Sequence, residues 1–208
     1  ARFVLAHPDP AAPAVQAAHS LAVDPAHPIA RRVAAQGHPD LLVLERTLGD
    51  TGKLRSVITV DQVRKSVPFF GSTAGEGGWR IVIVDAVDEL NAEGENALLK
   101  LLEEPPAKSL LLLVTHTPGR VRATLRSRCR RLALRPLSAD DVARAAAAAL
   151  GRPEQELQKA AQAADGSVAR AIALLDGDAL KMRERVIALL AKLPDIDAQA
   201  LHALGDAL

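Results

Sequence analysis

The chain has 208 residues, 49% of them hydrophobic, and a formal net charge of +1. That length allows one medium domain or two small ones with a sizeable core, and the balanced charge gives no global signal for nucleic acid. A single cysteine, Cys129, excludes an internal disulfide and any zinc site built from several thiolates, and no run of about 18 apolar residues marks a membrane span.

Phe3, Phe69, Phe70 and Trp79 are the only aromatic residues, so the core is expected to be aliphatic. The lone cysteine and the absence of a signal-peptide pattern suit a reducing, cytoplasmic setting. "ARFVLA" opens without a cap residue and "LHALGDAL" stops inside a helical pattern. The chain is therefore expected to be a piece of a longer one.

In chain order, residues 1–22 read as helix interrupted by the turn-rich "HPDPAAP", and 28–36 as a short helix. "DLLVLER" at 40–46 reads as a strand, and "GDTGKLRS" as a loop. Val60, Val63 and Val67 recur at helical spacing over 60–70, ahead of the glycine-rich "GSTAGEGG". "WRIVIVD" is a continuous apolar run, the pattern of a parallel strand buried on both faces. Asn91 is placed to cap a helix over 91–103, with Glu93 and Glu95 near its positive end and Pro105 and Pro106 stopping it. "SLLLLVTHT" reads as another buried strand, 118–127 as a short helix and "RRLALRP" as a last strand.

Strands alternating with helices predict a parallel α/β sheet with helices on both faces. After Pro136 only helices are expected: from Ser138 to about 150, then 153–164, 167–175 and 178–193, separated at Gly151–Pro153, Gly166 and Gly177. The expected domains are an α/β domain over 1–136, a small helical domain over 137–176 and the start of a third unit over 177–208.

Asp85, at the end of "IVIVD", admits two readings. It is a magnesium- or nucleotide-facing carboxylate at a strand's carboxyl end, or a turn and capping aspartate. The next residue is Ala86, where P-loop ATPases keep a glutamate that positions water. Asp88 and Glu89 lie beyond the strand tip and do not read as its replacement. The phosphate-cradling G-x-x-x-x-G-K-[ST] is absent: the nearest fragment, "TGKL" at 51–54, lacks the first glycine and has Leu54 in the hydroxyl position. Glu103 and Glu104 fall at the unfavourable, negative end of their helix, which suggests an external partner for one of them.

The densest charge signal is "GRVRATLRSRCRRLALR". It holds arginines at 120, 122, 126, 128, 130, 131 and 135, with no acid between Glu104 and Asp140. The readings are a solvated basic face or phosphate recognition by the planar guanidinium. Arg128 stands where a helix ends before a strand, a position from which it could reach across an interface as an arginine finger. The six histidines, His7, His19, His27, His38, His116 and His202, have no ligand spacing, so no metal site is expected. Cys129 reads as a small buried hydrophobe.

The segments "WRIVIVDAVDELNAEGENALLKLLEEPP", "LLLLVTHTPGRVRATLRSRC" and "LRPLS" together resemble the AAA+ clamp-loader ATPases of bacterial DNA polymerase III over about residues 38–176. The "LLKLLEEPP" and "SRC" elements are its specific parts. The resemblance implies an AAA+ P-loop-NTPase-like sheet, a helical lid and a helical collar. It implies that Ser127, Arg128 and Cys129 form the SRC motif, with Arg128 a finger acting in trans on a neighbour's ATP. It also implies that Asp85, Thr115 and Arg170 occupy vestigial Walker-B, sensor-1 and sensor-2 positions. Ala86 departs from the acid pair of the hydrolysing subunits, which implies negligible turnover by this chain, with ATP and magnesium bound by the neighbouring subunit. The implied partners are gamma/tau and delta subunits, the sliding clamp and primed DNA, with no membrane. Relatives often carry a four-cysteine zinc module where "LAVDPAHPIARRVAAQGHPDL" stands here without a cysteine, so no zinc is expected. The competing readings are an active gamma/tau-like ATPase and a nucleotide-free scaffold module.

Overall fold

A computed structural model of the chain describes residues 1–49, 52–71, 75, 78–175 and 179–191. It divides into two compact units, Ala1–Arg131 and Leu132–Leu208. The sequence expectations at Gly177 and His202, and the C-terminal end of the expected third unit, fall outside the described residues.

The first unit runs α1 (Arg2–Ala6), α2 (Pro13–Gln16), α3 (Pro28–Ala34), β1 (Leu41–Glu45), α4 (Val60–Arg64), α5 (Ser66–Gly71), β2 (Arg80–Asp85), α6 (Ala92–Glu103), β3 (Ser109–Val114) and α7 (Ala123–Arg126). The strands form one parallel sheet in the order β1-β2-β3, with Glu45 beside Asp85 and Asp85 beside Val114. The expected fold class, a parallel sheet carrying helices in its crossovers, is the one observed. β2 is central, and Ile81, Val82 and Val84 are fully buried, as its unbroken apolar run predicts. Val82 and Val84 share a core with Val63 of α4, Leu98 of α6 and Leu125 of α7. Burying a side chain such as Leu98 contributes about 1.5–3 kcal/mol.

Local chemistry sets the element ends. Asn91 Oδ1 accepts from the Gly94 N–H at 2.8 Å, the predicted cap of α6. Thr59 and Gln62 form a capping box on α4. The N-terminal insertion is tied down by Trp79, whose Nε1 donates to the Pro8 carbonyl at 3.0 Å.

Four expectations need correction. The helix expected over 60–70 breaks at Lys65. Pro68 explains this, because its ring would clash with the Arg64 carbonyl in one continuous helix. The helix expected over 118–127 contracts to α7. β3 is half-buried rather than buried, because it lies at the edge of the described sheet. The segment expected as a strand over 130–136 forms no strand among the described residues, with Leu132 82% and Leu134 87% exposed.

The second unit is helical: α8 (Ala139–Leu150), α9 (Glu154–Ala163), α10 (Val168–Leu175) and α11 (Ala179–Leu190). Ser138 caps α8, its Oγ accepting from the Asp141 N–H at 3.1 Å, and Gly151 ends it in the left-handed conformation. Val142, Ala146, Leu157, Ala160 and Ala171 fill a core of small side chains.

Candidate functional site

The carboxyl edge of the sheet holds an open cleft of about 430 Å³ lined by Glu45, Arg46, Leu54, Asp85, Ala86, Glu89 and His116. This is the edge at which parallel α/β sheets bind ligands. Asp85 ends β2 with its carboxylate exposed, whereas Ala86 is 3% exposed. No acid follows Asp85 directly. Glu89, the next acid along this wall, is engaged by Arg46, Nε to Oε2 at 2.8 Å. Gln62 secures the β1 side by donating to the Glu45 carbonyl at 2.6 Å. Among the described residues no group of three or more His, Cys, Asp or Glu side chains is arranged to hold a metal ion. Asp85 offers a single carboxylate, a donor set that fits magnesium when phosphate oxygens and water complete the shell.

Thr115 follows β3, and its environment is set by Asp88, which the sequence places beyond the strand tip. Asp88 lies in a 3₁₀ turn at Val87–Glu89 and accepts from the His116 N–H at 3.3 Å. Burial works to raise its carboxyl. The Thr115 hydroxyl, the backbone N–H groups of Asp88 and His116 and the His116 charge outweigh burial and hold it below the usual carboxylate value. Thr115 Oγ1 also accepts from the Thr117 N–H at 3.2 Å. The structure thus links the exits of β2 and β3 through Asp88, with Asp85 and Thr115 on either side of the link.

Arg128 lies outside the residues lining this cleft. It follows α7, with its side chain 38% exposed, and its Nη2 meets Glu103 Oε1 at 2.7 Å. Its Nη1 donates to the Thr124 carbonyl at 3.0 Å. Of the two glutamates at the end of α6, one of which is expected to have a partner outside the helix, Glu103 finds it in Arg128 of the same unit. A second pair, Arg122 Nε to Glu95 Oε2 at 2.5 Å, joins the start of α7 to α6, and here the Glu95 side chain is buried. Arg126 donates to the Pro118 carbonyl at 3.2 Å. Three of the seven arginines in the basic run, 122, 126 and 128, thus make contacts around the α7 segment.

Ser127 Oγ donates to the Thr124 carbonyl at 3.1 Å. Cys129 is half-buried rather than buried, and that burial pushes its thiol above the ordinary value. Arg170 belongs to the second unit, where its Nη1 pairs with Asp165 Oδ2 at 2.7 Å. The sequence sets Asp88 aside as lying beyond the strand tip and places Glu95 only near the helix's positive end. For Glu95 the available signal was the acid-free arginine run that follows an acid-rich helix in the chain, which calls for pairing between the two.

The family model described as "DNA polymerase III, delta subunit" matches residues 16–138. The chain is similar to DNA polymerase III subunit delta' of Pseudomonas aeruginosa, 42% identical over 97 residues, which cover 47% of this chain and 28% of that protein. It is similar to the same subunit of Escherichia coli, 34% identical over 154 residues, covering 74% of this chain and 45% of that protein. It thus spans less than half the length of either relative. A crystal structure of a DNA polymerase III gamma subunit-related protein from Thermotoga maritima aligns over 77% of this chain and 52% of that one, with 21% identity and a TM-score of 0.45.

Proposed function

The chain belongs to the DNA polymerase III delta-subunit family, and we propose that within it the chain serves as a delta-prime-type clamp-loader subunit that turns over little ATP itself. Its task is to present Arg128 to ATP and magnesium held by a neighbouring gamma/tau-like subunit. With a delta subunit, that assembly opens the sliding clamp and places it on primed DNA.

The observation carrying this reading is a separation. Asp85 and Ala86 line the chain's own cleft, and Arg128 does not. An exposed carboxylate followed by a buried methyl group has nothing to orient an attacking water. In the neighbour's site, water attacks the γ-phosphorus and the bond to the β-phosphate oxygen breaks, giving ADP and phosphate. Arg128 exchanges no proton in that step. It adds positive charge and N–H donors where negative charge develops on the transferring group.

The test uses the full-length protein in the assembled loader. Arg128→Ala should leave assembly intact and lower DNA- and clamp-stimulated hydrolysis. Isolated arginine fingers are worth about 10³–10⁵ in rate, and a ring with several sites loses less. Arg128→Lys should rescue poorly, since an ammonium lacks the planar fork. Arg130→Ala and Arg131→Ala are the neighbouring controls. Unchanged hydrolysis in Arg128→Ala together with loss in Arg130→Ala would assign the basic run another purpose.

A further inference from the structure

We propose that Glu103 is a positioning residue for Arg128, fixing the plane of its guanidinium before a phosphate arrives. The proposal rests on the reading of Arg128 as a group that faces a neighbour's nucleotide. Its physical content is the pair of contacts made from two different elements, Glu103 Oε1 at 2.7 Å from α6 and the Thr124 carbonyl at 3.0 Å from α7.

The Thr124 carbonyl takes one of the five N–H donors of the guanidinium, and the Glu103 carboxylate faces Nη2 as an ion pair. The side chain is 38% exposed, open to a further acceptor. A fork already oriented need not be ordered during the reaction, and that ordering is a large part of what a long flexible side chain costs. Glu103 itself stands at the carboxyl end of α6, where the last carbonyls make a carboxylate unfavourable. Its charge is poorly placed for the helix and well placed for Arg128.

The bracket has a fixed end and an adjustable end. Toward the start of α6, Arg122 holds the buried Glu95, which seats the α7 segment. At the far end both Glu103 and Arg128 are partly exposed, with side chains 49% and 38% accessible. Removing Glu103 should therefore free the Arg128 side chain without unseating α7.

The experiment measures DNA- and clamp-stimulated ATP hydrolysis against ATP concentration in the loader assembled with the full-length protein. Glu103→Ala should lower kcat about ten-fold with KM within about two-fold, since loss of alignment acts on the reacting geometry. Glu103→Gln keeps a carbonyl acceptor in place and should stay within about two-fold of the unaltered loader. Glu103→Ala combined with Arg128→Ala should be no slower than Arg128→Ala alone. If Glu103→Ala blocks assembly, Glu103→Asp replaces it: the charge stays, the acceptor withdraws by one methylene, and the same kcat loss is expected.

Normal or raised kcat in Glu103→Ala, or in Glu103→Asp where that replaces it, overturns the proposal, and so does a Glu103→Gln as slow as the alanine variant. Unchanged rates in Arg128→Ala would instead sink the finger reading beneath it. The two failures are therefore distinguishable.

Discussion

Arg128 and Glu103 form an ion pair at 2.7 Å that joins a residue two positions past the end of α7 to the last residue of α6. Both side chains are partly solvated, so the pair contributes about 0–1 kcal/mol to folding. Arg128→Ala and Glu103→Ala should each lower the urea unfolding free energy by less than about 1 kcal/mol. A loss several times larger would mean that the pair is structural, and a fall in loading activity could not then be read as lost chemistry.

The Arg122–Glu95 pair should behave differently, and asymmetrically. Glu95 is buried, while the Arg122 side chain is 48% exposed. Arg122→Ala strands a buried carboxylate, which costs about 3 kcal/mol. Glu95→Ala leaves an arginine that can rehydrate, so its cost should be the smaller of the two. Equal urea midpoints for the two variants would contradict this assignment of burial.

β2 and α6 were legible in the sequence because each is specified locally. Four β-branched residues run into Asp85, and Asn91 and Pro105 bracket an amphipathic helix. The segment at 130–136 was not legible in the same way. Its Leu132-Ala133-Leu134 run between arginines reads as a strand, but a strand requires a partner, which the local sequence cannot supply. The site was legible as positions rather than as contacts. Asp85, Thr115 and Arg128 were singled out from the sequence. Their holders, Asp88 and Glu103, are revealed only by the distances between elements far apart in the chain.

The carboxylate of Asp88 gives the β2–β3 link a pH dependence. Its folded value is lowered, so its stabilising contribution is fully present above the ordinary aspartate value near about 4 and is lost as pH falls through the lowered folded value. Asp88→Asn should be less stable than the unaltered chain at neutral pH. That gap should close as the solution is acidified below the folded value. A gap independent of pH, followed by urea titration at several pH values, would rule out the charged form as the source.

Gly166 is a backbone requirement of the second unit. Its φ is +80°, and a Cβ there would lie 2.4 Å from Pro136 Cβ and 2.8 Å from the Leu137 nitrogen. The Gly166 carbonyl also accepts from the Leu137 N–H at 3.2 Å, fixing the approach to α8. Gly166→Ala should cost about 1–3 kcal/mol from strain and overpacking together. Thermal unfolding followed by circular dichroism should show it, and an unchanged midpoint would mean that this turn relaxes freely.

The full-length protein on its own should hydrolyse ATP negligibly, and Asp85→Ala should not change that rate. The reason is the β2 tip, where the exposed Asp85 is followed by a residue with no polar atom in its side chain. A magnesium ion polarises phosphate oxygens, but an attacking water still requires an oriented acceptor, and groups of that kind contribute about 10²–10⁴ in rate. The two acids that follow closely are both engaged: Asp88 accepts from the His116 N–H, and Glu89 is held by Arg46 in an ion pair. Ala86→Glu places a carboxylate after Asp85 but buries it, because Ala86 is 3% exposed. That variant should therefore lose stability before it gains activity. A phosphate-release assay decides the matter: robust turnover abolished by Asp85→Ala would make this chain an ATPase in its own right and remove the division of labour between the cleft and Arg128.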